Sequence, residues 1–253
     1  MIALTNLLRA LTVPALGLAA LEWWARTIGA QSDAVAAPSA ACRAFFKALG
    51  DGSLMSATAF TLASAASGLA LGGLLGIALG TILGLSSRAA RMGFLSIEAL
   101  RPIPSVALIP LAMLVFGFGF RMEIGVVTFA CFWPIMILTQ AAVQQVEPCL
   151  LEVASALQLS AAQRFTQIVL PSIVPRLFVA LRLGVAIALV VAITVEIAAN
   201  PHGMGYALMI AQQSMEPALM LAWLGWISVV GYGINVASVQ LQNEVARRMG
   251  VAA

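Results

Sequence analysis

The residues that could carry acid-base, metal or nucleotide chemistry are few and widely spaced in this chain of 253 residues. His202 is the only histidine and Lys47 the only lysine. The three cysteines, Cys42, Cys131 and Cys149, are too few and too far apart for a metal cluster or a disulfide framework. We interpret the cysteines as small apolar residues, and we expect neither a metal site nor a cofactor.

The single lysine also bears on nucleotide binding. A Walker A loop needs Gly-Lys followed by Ser or Thr to hold phosphates, whereas Lys47 stands between Phe46 and Ala48. The chain is therefore not expected to hydrolyse ATP itself, and any ATP that drives it must be bound by another subunit.

Composition places most of the chain in lipid. Hydrophobic residues make up 62% of the sequence and charged residues 9%, against about a quarter charged in soluble proteins. No segment is long and polar enough for a separate soluble catalytic domain. The basic residues are scattered singly, which argues against nucleic-acid binding. A membrane-embedded enzyme would need clustered nucleophiles, metal ligands or paired carboxylates, and the apolar runs offer almost none.

Six apolar runs predict an all-α membrane protein with about six spanning helices, each needing ~20 residues. The runs are 7–24, 57–85, 94–120, 124–143, 177–199 and 218–239. Prolines 102, 104 and 110 interrupt the third run and should kink it. The first run also fits a cleavable signal peptide ending near Ala34-Val35-Ala36, but we expect a retained helix. Residues 27–55 are expected to form an external loop with a short amphipathic piece at 41–49.

One face of the second run is lined by glycine at every fourth residue. These glycines are Gly68, Gly72, Gly76, Gly80 and Gly84. On a helix this spacing makes a face on which another backbone can approach closely. We interpret the face as helix packing and not as a binding site.

The basic residues predict that both termini are cytoplasmic. With six spans, eight arginines fall inside: Arg9, Arg88, Arg91, Arg164, Arg176, Arg182, Arg247 and Arg248. Four basic residues fall outside: Arg26, Arg43, Lys47 and Arg121. The excess agrees with the positive-inside rule, and it places the polar stretch 144–176 in the cytoplasm.

That stretch predicts two short helices joined by a turn. Pro148 can open a helix over 149–157, and Ser160 with Gln163 has the form of a capping box at the start of a second helix that stops near Pro171. The amphipathic pattern requires either a partner surface or the lipid headgroups.

The same stretch resembles the EAA loop of the permease subunits of ATP-binding-cassette (ABC) importers. That pattern is Glu-Ala-Ala, three residues, Gly, nine residues and Ile-x-Leu-Pro. Here it is matched by Glu152-Val153-Ala154 and Ile168-Val169-Leu170-Pro171. Val153 departs mildly, and Gln158 replaces the glycine, so the turn is expected to be looser or shifted toward Ser160.

Two further motifs resemble the nitrate, sulfonate and taurine subgroup of this family. One is Leu100-Arg101-Pro102-Ile103-Pro104, followed by Ile109-Pro110-Leu111 and Phe116-Gly117. The other is Glu196 followed by Gly203-Met204-Gly205. The resemblance covers about 50–245, as one transmembrane domain between an N-terminal helix with its loop (1–49) and a cytoplasmic tail (246–253).

The resemblance implies a homodimer in the bacterial inner membrane, with two copies of a cytoplasmic ATPase subunit and a separate substrate-binding protein. It implies import of a small anion, such as a sulfonate, taurine or nitrate, by alternating access. The residues implied to couple the permease to the ATPase are Glu152, Val153, Ala154, Gln158, Ser160, Ile168, Leu170 and Pro171.

Candidates for the translocation path are the ionisable residues in the spans and the prolines beside them. Arg101, with Pro102 and Pro104, either faces the path and contacts an anion, or pairs with Glu98 or snorkels to the interface. Glu196 either gates the path or, as we favour, pairs with an arginine of a neighbouring helix. His202 is expected to be a loop residue. The methionines around it are expected to fill apolar space and not to bind a metal.

The main alternative is a secondary transporter driven by an ion gradient, with Glu196 or Glu98 carrying a proton. Such transporters are often built from inverted repeats, and the two halves of this chain show no convincing self-similarity. The alternative also leaves the cytoplasmic helix pair without a role.

Overall fold

The computed structural model describes residues 2–28 and 35–248, without the side chains of 2–11, 13–15 and 248, and the described chain is helical with no strand. The helices are α1 (Ile2–Thr27), α2 (Pro38–Gly50), α3 (Ser53–Leu85), α4 (Ser87–Leu100), α5 (Ile109–Phe116), α6 (Phe120–Gln144), α7 (Pro148–Ala156), α8 (Ala161–Arg164), α9 (Leu170–Ala198), α10 (Gly203–Gln213) and α11 (Pro217–Arg248). A 3-10 turn (Ser105–Leu108) precedes α5, and a π-helical turn (Phe165–Val169) joins α8 to α9.

Four described helices are long and apolar enough to cross a membrane. They are α3, α6, the continuous helix Ala161–Ala198 and α11. A fifth crossing is the bent pair of α4 with Ser105–Phe116, whose two parts meet at 81°. The first predicted run lies on α1, and many side chains of α1 are outside the described residues. The possible cleavage site at Ala34 and residues 249–253 of the predicted tail also lie outside them.

The direction of α3 and α6 shows why the bent pair must be a crossing. A Cβ on Gly68 would lie 2.6 Å from Val127 Cβ, and a Cβ on Gly84 would lie 2.5 Å from Val143 Cβ. Contacts that advance together along both helices mean that α3 and α6 run parallel. The chain between them therefore returns to the side from which α3 started, through the predicted proline kink.

The glycine face of α3 packs against the backbone of α6. A Cβ on Gly72 would stand 2.6 Å from Thr128 O, and a Cβ on Gly76 would stand 2.9 Å from Phe132 O. Such distances leave no room for a side chain, so glycine is what lets the two backbones approach. The prediction that this face serves helix packing is confirmed.

Helix α9 completes a three-helix core and runs antiparallel to α6. Near the start of α9, Arg176 Nη1 donates to Ala142 O at 3.3 Å. Further along, Cys131 Sγ lies 3.5 Å from Gly184 O. The core therefore has two ends. We call the end with the starts of α3 and α6 the α10 end, and the end with the starts of α4 and α9 the α7 end.

The sequence predicted that the helix beginning at α8 stops near Pro171, and this prediction is wrong. The helix continues through the π-helical turn into α9, giving one helix of 38 residues. Pro171 lies in the first turn of α9, where its missing N–H is tolerated, whereas the ring would clash with a preceding carbonyl in an unbroken α-helix. The wider π turn directly before it removes that conflict.

Two short helices close the α10 end against α11. Helix α2 is the amphipathic piece predicted at 41–49, whereas α10 follows the predicted turn and was not itself predicted. Their buried side chains meet in an apolar cluster that includes Ala48, Leu54, Met204, Ala211 and Trp223. This packing fixes the start of α10 over the ends of α3 and α9.

Candidate functional site

Helix α7 ends in a left-handed turn at Gln158. Leu159 N donates to Ala154 O at 3.0 Å and Gln158 N donates to Ser155 O at 3.0 Å, which is the Schellman pattern. Gln158 has a φ of 51°, so it adopts the conformation that glycine favours. The turn has therefore not shifted to Ser160, and Gln158 occupies the position of the glycine in the EAA pattern.

Helix α8 begins with the predicted capping box. Gln163 N donates to Ser160 Oγ at 3.3 Å, and Ser160 N donates to Gln163 Oε1 at 2.9 Å. These reciprocal bonds satisfy two N–H groups that a helix start leaves free. Only three residues separate the end of α7 from Ser160, so the turn between the two helices is short.

One side of this helix pair is anchored to the core. Ala154 is 1% exposed. Val169 and Ile173 are buried with Val146, and the partly buried Leu151 packs against them. Ile168 and Leu170 are half-buried beside them, whereas Pro171 is exposed. Helix α7 therefore packs directly against the π-helical turn and the start of α9.

The other side of α7 carries an exposed apolar stripe. Leu150, Val153 and Leu157 are 39%, 47% and 66% exposed. Their spacing of three and four residues places them on one side of the helix. Glu152 is also exposed and lines, with Arg164, a shallow cavity of about 450 Å³. We call Leu150, Val153, Leu157 and Glu152 the α7 surface.

Arg101 lies at the bend of the broken span. Its Nη1 is 3.2 Å from Glu98 Oε1, and the two side chains are 51% and 49% exposed. Pro102 and Pro104 are exposed in the break between α4 and the 3-10 turn. Arg101 thus pairs with Glu98, which is one of the alternatives predicted from the sequence, and its guanidinium group remains about half exposed.

The prediction that Glu196 pairs with an arginine is wrong, because its described partners are a hydroxyl group and a backbone N–H. Thr61 Oγ1 lies 2.6 Å from Glu196 Oε1, and Gly205 N donates to Oε2 at 2.8 Å. Thr61 Oγ1 also accepts from Met204 N at 3.0 Å. The N-cap residue of α10, His202, makes no side-chain capping bond. Glu196 and Thr61 therefore cap α10 from two other helices.

This remote cap explains the Gly203-Met204-Gly205 motif. A Cβ on Gly203, whose φ is 93°, would overlap the Glu196 carboxyl group, and a Cβ on Gly205 would lie 2.8 Å from Glu196 Cβ. The two glycines let the helix start descend onto the carboxylate, where N–H groups and the helix dipole favour negative charge. Met204 fills the apolar cluster beneath, as predicted, and is fully buried.

A second buried carboxyl, Glu123, was missed by the sequence reasoning. It is 0% exposed in the first turn of α6. Ser64 Oγ and Asn200 Nδ2 are both hydrogen-bonded to its carboxyl oxygens. An available signal was its position at the start of an apolar run, because an ionisable residue there is costly unless it is satisfied.

Two further polar residues, His202 and Asp51, are exposed at the α10 end. The His202 ring stacks on Phe60, with ring centroids 5.1 Å apart, so His202 is a loop residue with an aromatic partner. Between α2 and α3, hydrogen bonds from Ser53 hold the pKa of Asp51 below its usual range, and Asp51 Oδ1 accepts from Ser53 N at 2.9 Å.

Comparison with known proteins places the chain in one family. Residues 72–250 match the family described as "binding-protein-dependent transport system inner membrane component". A putative aliphatic sulfonates transport permease protein, SsuC of Escherichia coli (strain K12), is 30% identical over 89% of this chain and 86% of its own length. The protein of that name in Bacillus subtilis (strain 168) is 30% identical over 54% of this chain and 49% of its own length, so the chain spans about half of that relative. Other matches are named for taurine and nitrate.

A solved structure has the same fold. A chain of the MetNI methionine ABC transporter, in an inward-facing conformation, superposes with a TM-score of 0.66 at 18% identity, covering 73% of this chain and 92% of that chain. At that identity the likeness concerns the fold alone. The fold agrees with the family match over most of the chain and with the EAA-type turn at Gln158. The chain therefore belongs to the binding-protein-dependent inner membrane components, which are the permease subunits of ABC importers, and within them to the nitrate, sulfonate and taurine subgroup.

Proposed function

We propose that this chain works as a homodimer that imports a small solute bearing an anionic group, either a sulfonate, such as taurine, or nitrate, with two copies of an ATPase subunit docked at the α7 end. The α7 end is then cytoplasmic and a substrate-binding protein delivers the solute to the α10 end. The relatives named for sulfonates, taurine and nitrate support the substrate class. The distribution of arginines supports the orientation in the inner membrane of a bacterium.

The exposed α7 surface is the observation that carries the docking proposal. An apolar stripe on a helix beyond the ends of the spans is unfavourable in water, and its anchors at i, i+3 and i+7 suit a helix that lies in a groove of a partner. Glu152 adds a charge beside the stripe that can orient the partner. The buried Ala154 keeps the opposite side of α7 attached to the permease.

The continuous helix Ala161–Ala198 offers a route from docking to transport. Its 38 residues begin at the α8 capping box and end at Ala198, two residues after Glu196 and two before Asn200. A tilt that the ATPase imposes on α7 would therefore move the cap of α10 at the far end of the bundle. In this proposal ATP and substrate bias the same rigid-body motion, which is a coupling free energy between two sites.

Cross-linking tests the docking proposal. Val153→Cys, with the native exposed cysteines 42 and 149 replaced by serine, should form a bond to the ATPase subunit in native membranes treated with a short bifunctional thiol reagent. Ser214→Cys, equally exposed at the α10 end, is the matched control and should form none. Cross-links from Ser214→Cys with none from Val153→Cys would contradict the proposed docking face.

Competition tests the substrate class. Cells that express the chain with its ATPase and binding protein should take up a labelled alkanesulfonate, taurine or nitrate, and an excess of the unlabelled anion should suppress that uptake. Methionine serves as the control competitor, because it carries neither a sulfonate group nor a nitrate. Uptake suppressed by methionine and by none of the three proposed substrates would contradict the proposed substrate class.

A further inference from the structure

Two fully buried carboxyl groups meet where four helices converge at the α10 end. Glu123 comes from α6 and Glu196 from α9, and both are 0% exposed. Thr61 and Ser64, one turn apart on α3, hold the two carboxyl groups close together, because Thr61 is hydrogen-bonded to Glu196 and Ser64 to Glu123. Neither the docking of an ATPase nor contact with a transported anion uses this pair, because neither side chain is accessible.

No cation faces the pair within the part of the chain that the structure describes. Helix α3 contributes the hydroxyl groups of Thr61 and Ser64 and contains no charged residue. Arg121, at the start of α6, is exposed and makes no described ion pair, while His202 stacks on Phe60. Tyr206 of α10 is half-buried and makes no described bond to either carboxyl. Two ionised carboxylates this close, without a cation, would strongly disfavour one of the two charges.

The hydroxyl groups are short of hydrogen atoms for the contacts that they make. Thr61 Oγ1 lies 3.1 Å from Ala57 O and 2.6 Å from Glu196 Oε1. Ser64 Oγ lies 2.9 Å from Thr61 O and is also hydrogen-bonded to Glu123. Each hydroxyl has one hydrogen atom to donate, so two hydrogens serve four oxygen–oxygen contacts. A hydrogen on a carboxyl group supplies what is missing.

Asn200 gives a second sign of an unmet need for a donor. The Asn200 side chain is 1% exposed and donates through Nδ2 to Glu123, while Oδ1 is buried with no hydrogen-bond partner among the described residues. A rotation of the Asn200 amide by 180° exchanges Nδ2 and Oδ1, and the choice between the two orientations follows from the hydrogen bonds around them. A protonated Glu123 could therefore donate to Oδ1 where an ionised one accepts from Nδ2.

We propose that Glu123 and Glu196 form a proton-binding site. The pair holds one shared proton while helices α3, α6, α9 and α10 are packed together at the α10 end of the bundle. A proton fits this site better than an alkali metal ion, because the hydroxyl oxygens of Thr61 and Ser64 are already in hydrogen-bonding contact with the two carboxyl groups. This inference goes beyond the proposed transport function and does not depend on the substrate or on the ATPase.

The bound proton links the packing of the α10 end to pH. The packed arrangement binds one more proton than an arrangement in which the pair is separated and exposed to water near neutral pH. By linkage, the stability of the packed arrangement falls as pH rises and the proton is lost. Separation of α10 from α9 would therefore release a proton to the side of the membrane that the α10 end faces.

Infrared spectroscopy of the purified full-length chain tests the site directly. Near neutral pH, exposed carboxyl groups are ionised, so a protonated-carboxyl band in wild type identifies a bound proton. We expect that band in wild type, its loss as pH is raised, and its absence from both Glu123→Gln and Glu196→Gln. Glu216→Gln, which removes an exposed glutamate at the same end, should retain it.

The wild-type spectrum decides the matter even if a variant fails to fold. Absence of the band from wild type near neutral pH would overturn the proposal, as would its persistence in both glutamine variants. If the wild-type chain lacks the band and its thermal unfolding midpoint rises with added Na⁺, the cluster binds a metal cation instead. That result would also overturn the proposal. A midpoint that falls toward alkaline pH in wild type, and less in Glu196→Gln, is the expected companion result.

Discussion

At the scale of single residues, two glutamates cap helices that are not their own. Glu196 of α9 caps α10, and Glu22 of α1 accepts from Ser39 N at 2.9 Å and from Ser39 Oγ at 2.7 Å in the first turn of α2. The residues at the N-cap positions of these two helices, Ala37 and His202, make no side-chain capping bond. Both short helices therefore depend on a neighbouring helix for the partners that a helix start requires.

The remote cap predicts that Gly203→Ala is strongly destabilising. The substitution places a Cβ in the Glu196 carboxyl group at a φ of 93°, and backbone strain of this kind costs about 1–3 kcal/mol before the clash is counted. Thermal unfolding in detergent, followed by circular dichroism, should show a clear loss. Gly225→Ala, in α11 with nothing near its Cβ position, is the control, and an equal loss in both variants would refute the explanation.

The left-handed turn after α7 predicts that Gln158→Gly stabilises the folded chain, in contrast to Gly203→Ala. A side chain in this conformation costs about 1–2 kcal/mol, which glycine avoids. We expect the variant to unfold at a higher temperature and to keep its ATPase partner. A lower unfolding temperature would mean that the Gln158 side chain makes a stabilising contact that outweighs the strain.

The residues of the α7–α8 turn could be located from the sequence because their partners are local. The capping box joins Ser160 to Gln163, three positions away, and the Schellman bonds lie within a single turn. Glu123 could not be located in this way, since its partners, Ser64 and Asn200, are far away in the chain. The same distance explains why Glu196 was assigned the wrong kind of partner.

At the scale of helices, the parallel α3–α6 pair dominates the bundle. The run of glycines predicted close packing without naming the partner, because periodicity reveals a face and not what covers it. The crossing formed by α4 and α5 could be predicted from its prolines. Helix α10 and the continuous α8–α9 helix could not, since one depends on caps from α3 and α9 and the other on a π turn before Pro171.

Neighbouring glycines of α3 give a matched test of the packing. Gly72→Ala should destabilise the chain by about 1–3 kcal/mol, as overpacking usually does, because its Cβ would stand 2.6 Å from Thr128 O. Gly73→Ala meets only Leu181 at 3.5 Å and Ile135 at 3.8 Å, so it should be neutral or slightly stabilising. Unfolding midpoints in the reverse order would contradict the parallel packing of α3 on α6.

At the scale of the whole molecule, the proposed sites lie at different places along one mechanical path. The α7 surface lies at one end, the Glu123–Glu196 pair at the other, and Arg101 at the bend of the broken span. Residues of the α7 surface belong to the EAA pattern of the family, whereas Arg101 and Glu196 belong to the two motifs of the subgroup. The chain therefore combines a proposed docking surface, a long helix and a capped short helix.

Arg101 predicts a defect in transport without a defect in assembly. Arg101→Ala should lower uptake of the anion several-fold, because the half-exposed guanidinium no longer offers a charge to it, while recovery of the ATPase stays at the wild-type level. Glu98→Gln removes the described partner of Arg101 and leaves the guanidinium in place, so it is the control and should transport. Normal uptake by Arg101→Ala would remove this residue from the path.

The central claim is that this permease is driven by an ATPase that binds the α7 surface. Its most direct measurement is co-purification of the chain from native membranes in mild detergent, with wild type, Glu152→Ala and Glu216→Ala in parallel. The last two remove the same charge from opposite ends of the bundle. We predict that an ATPase subunit is recovered with wild type and Glu216→Ala and is reduced with Glu152→Ala. A wild-type preparation that contains no ATPase would contradict the claim and favour transport driven by an ion gradient.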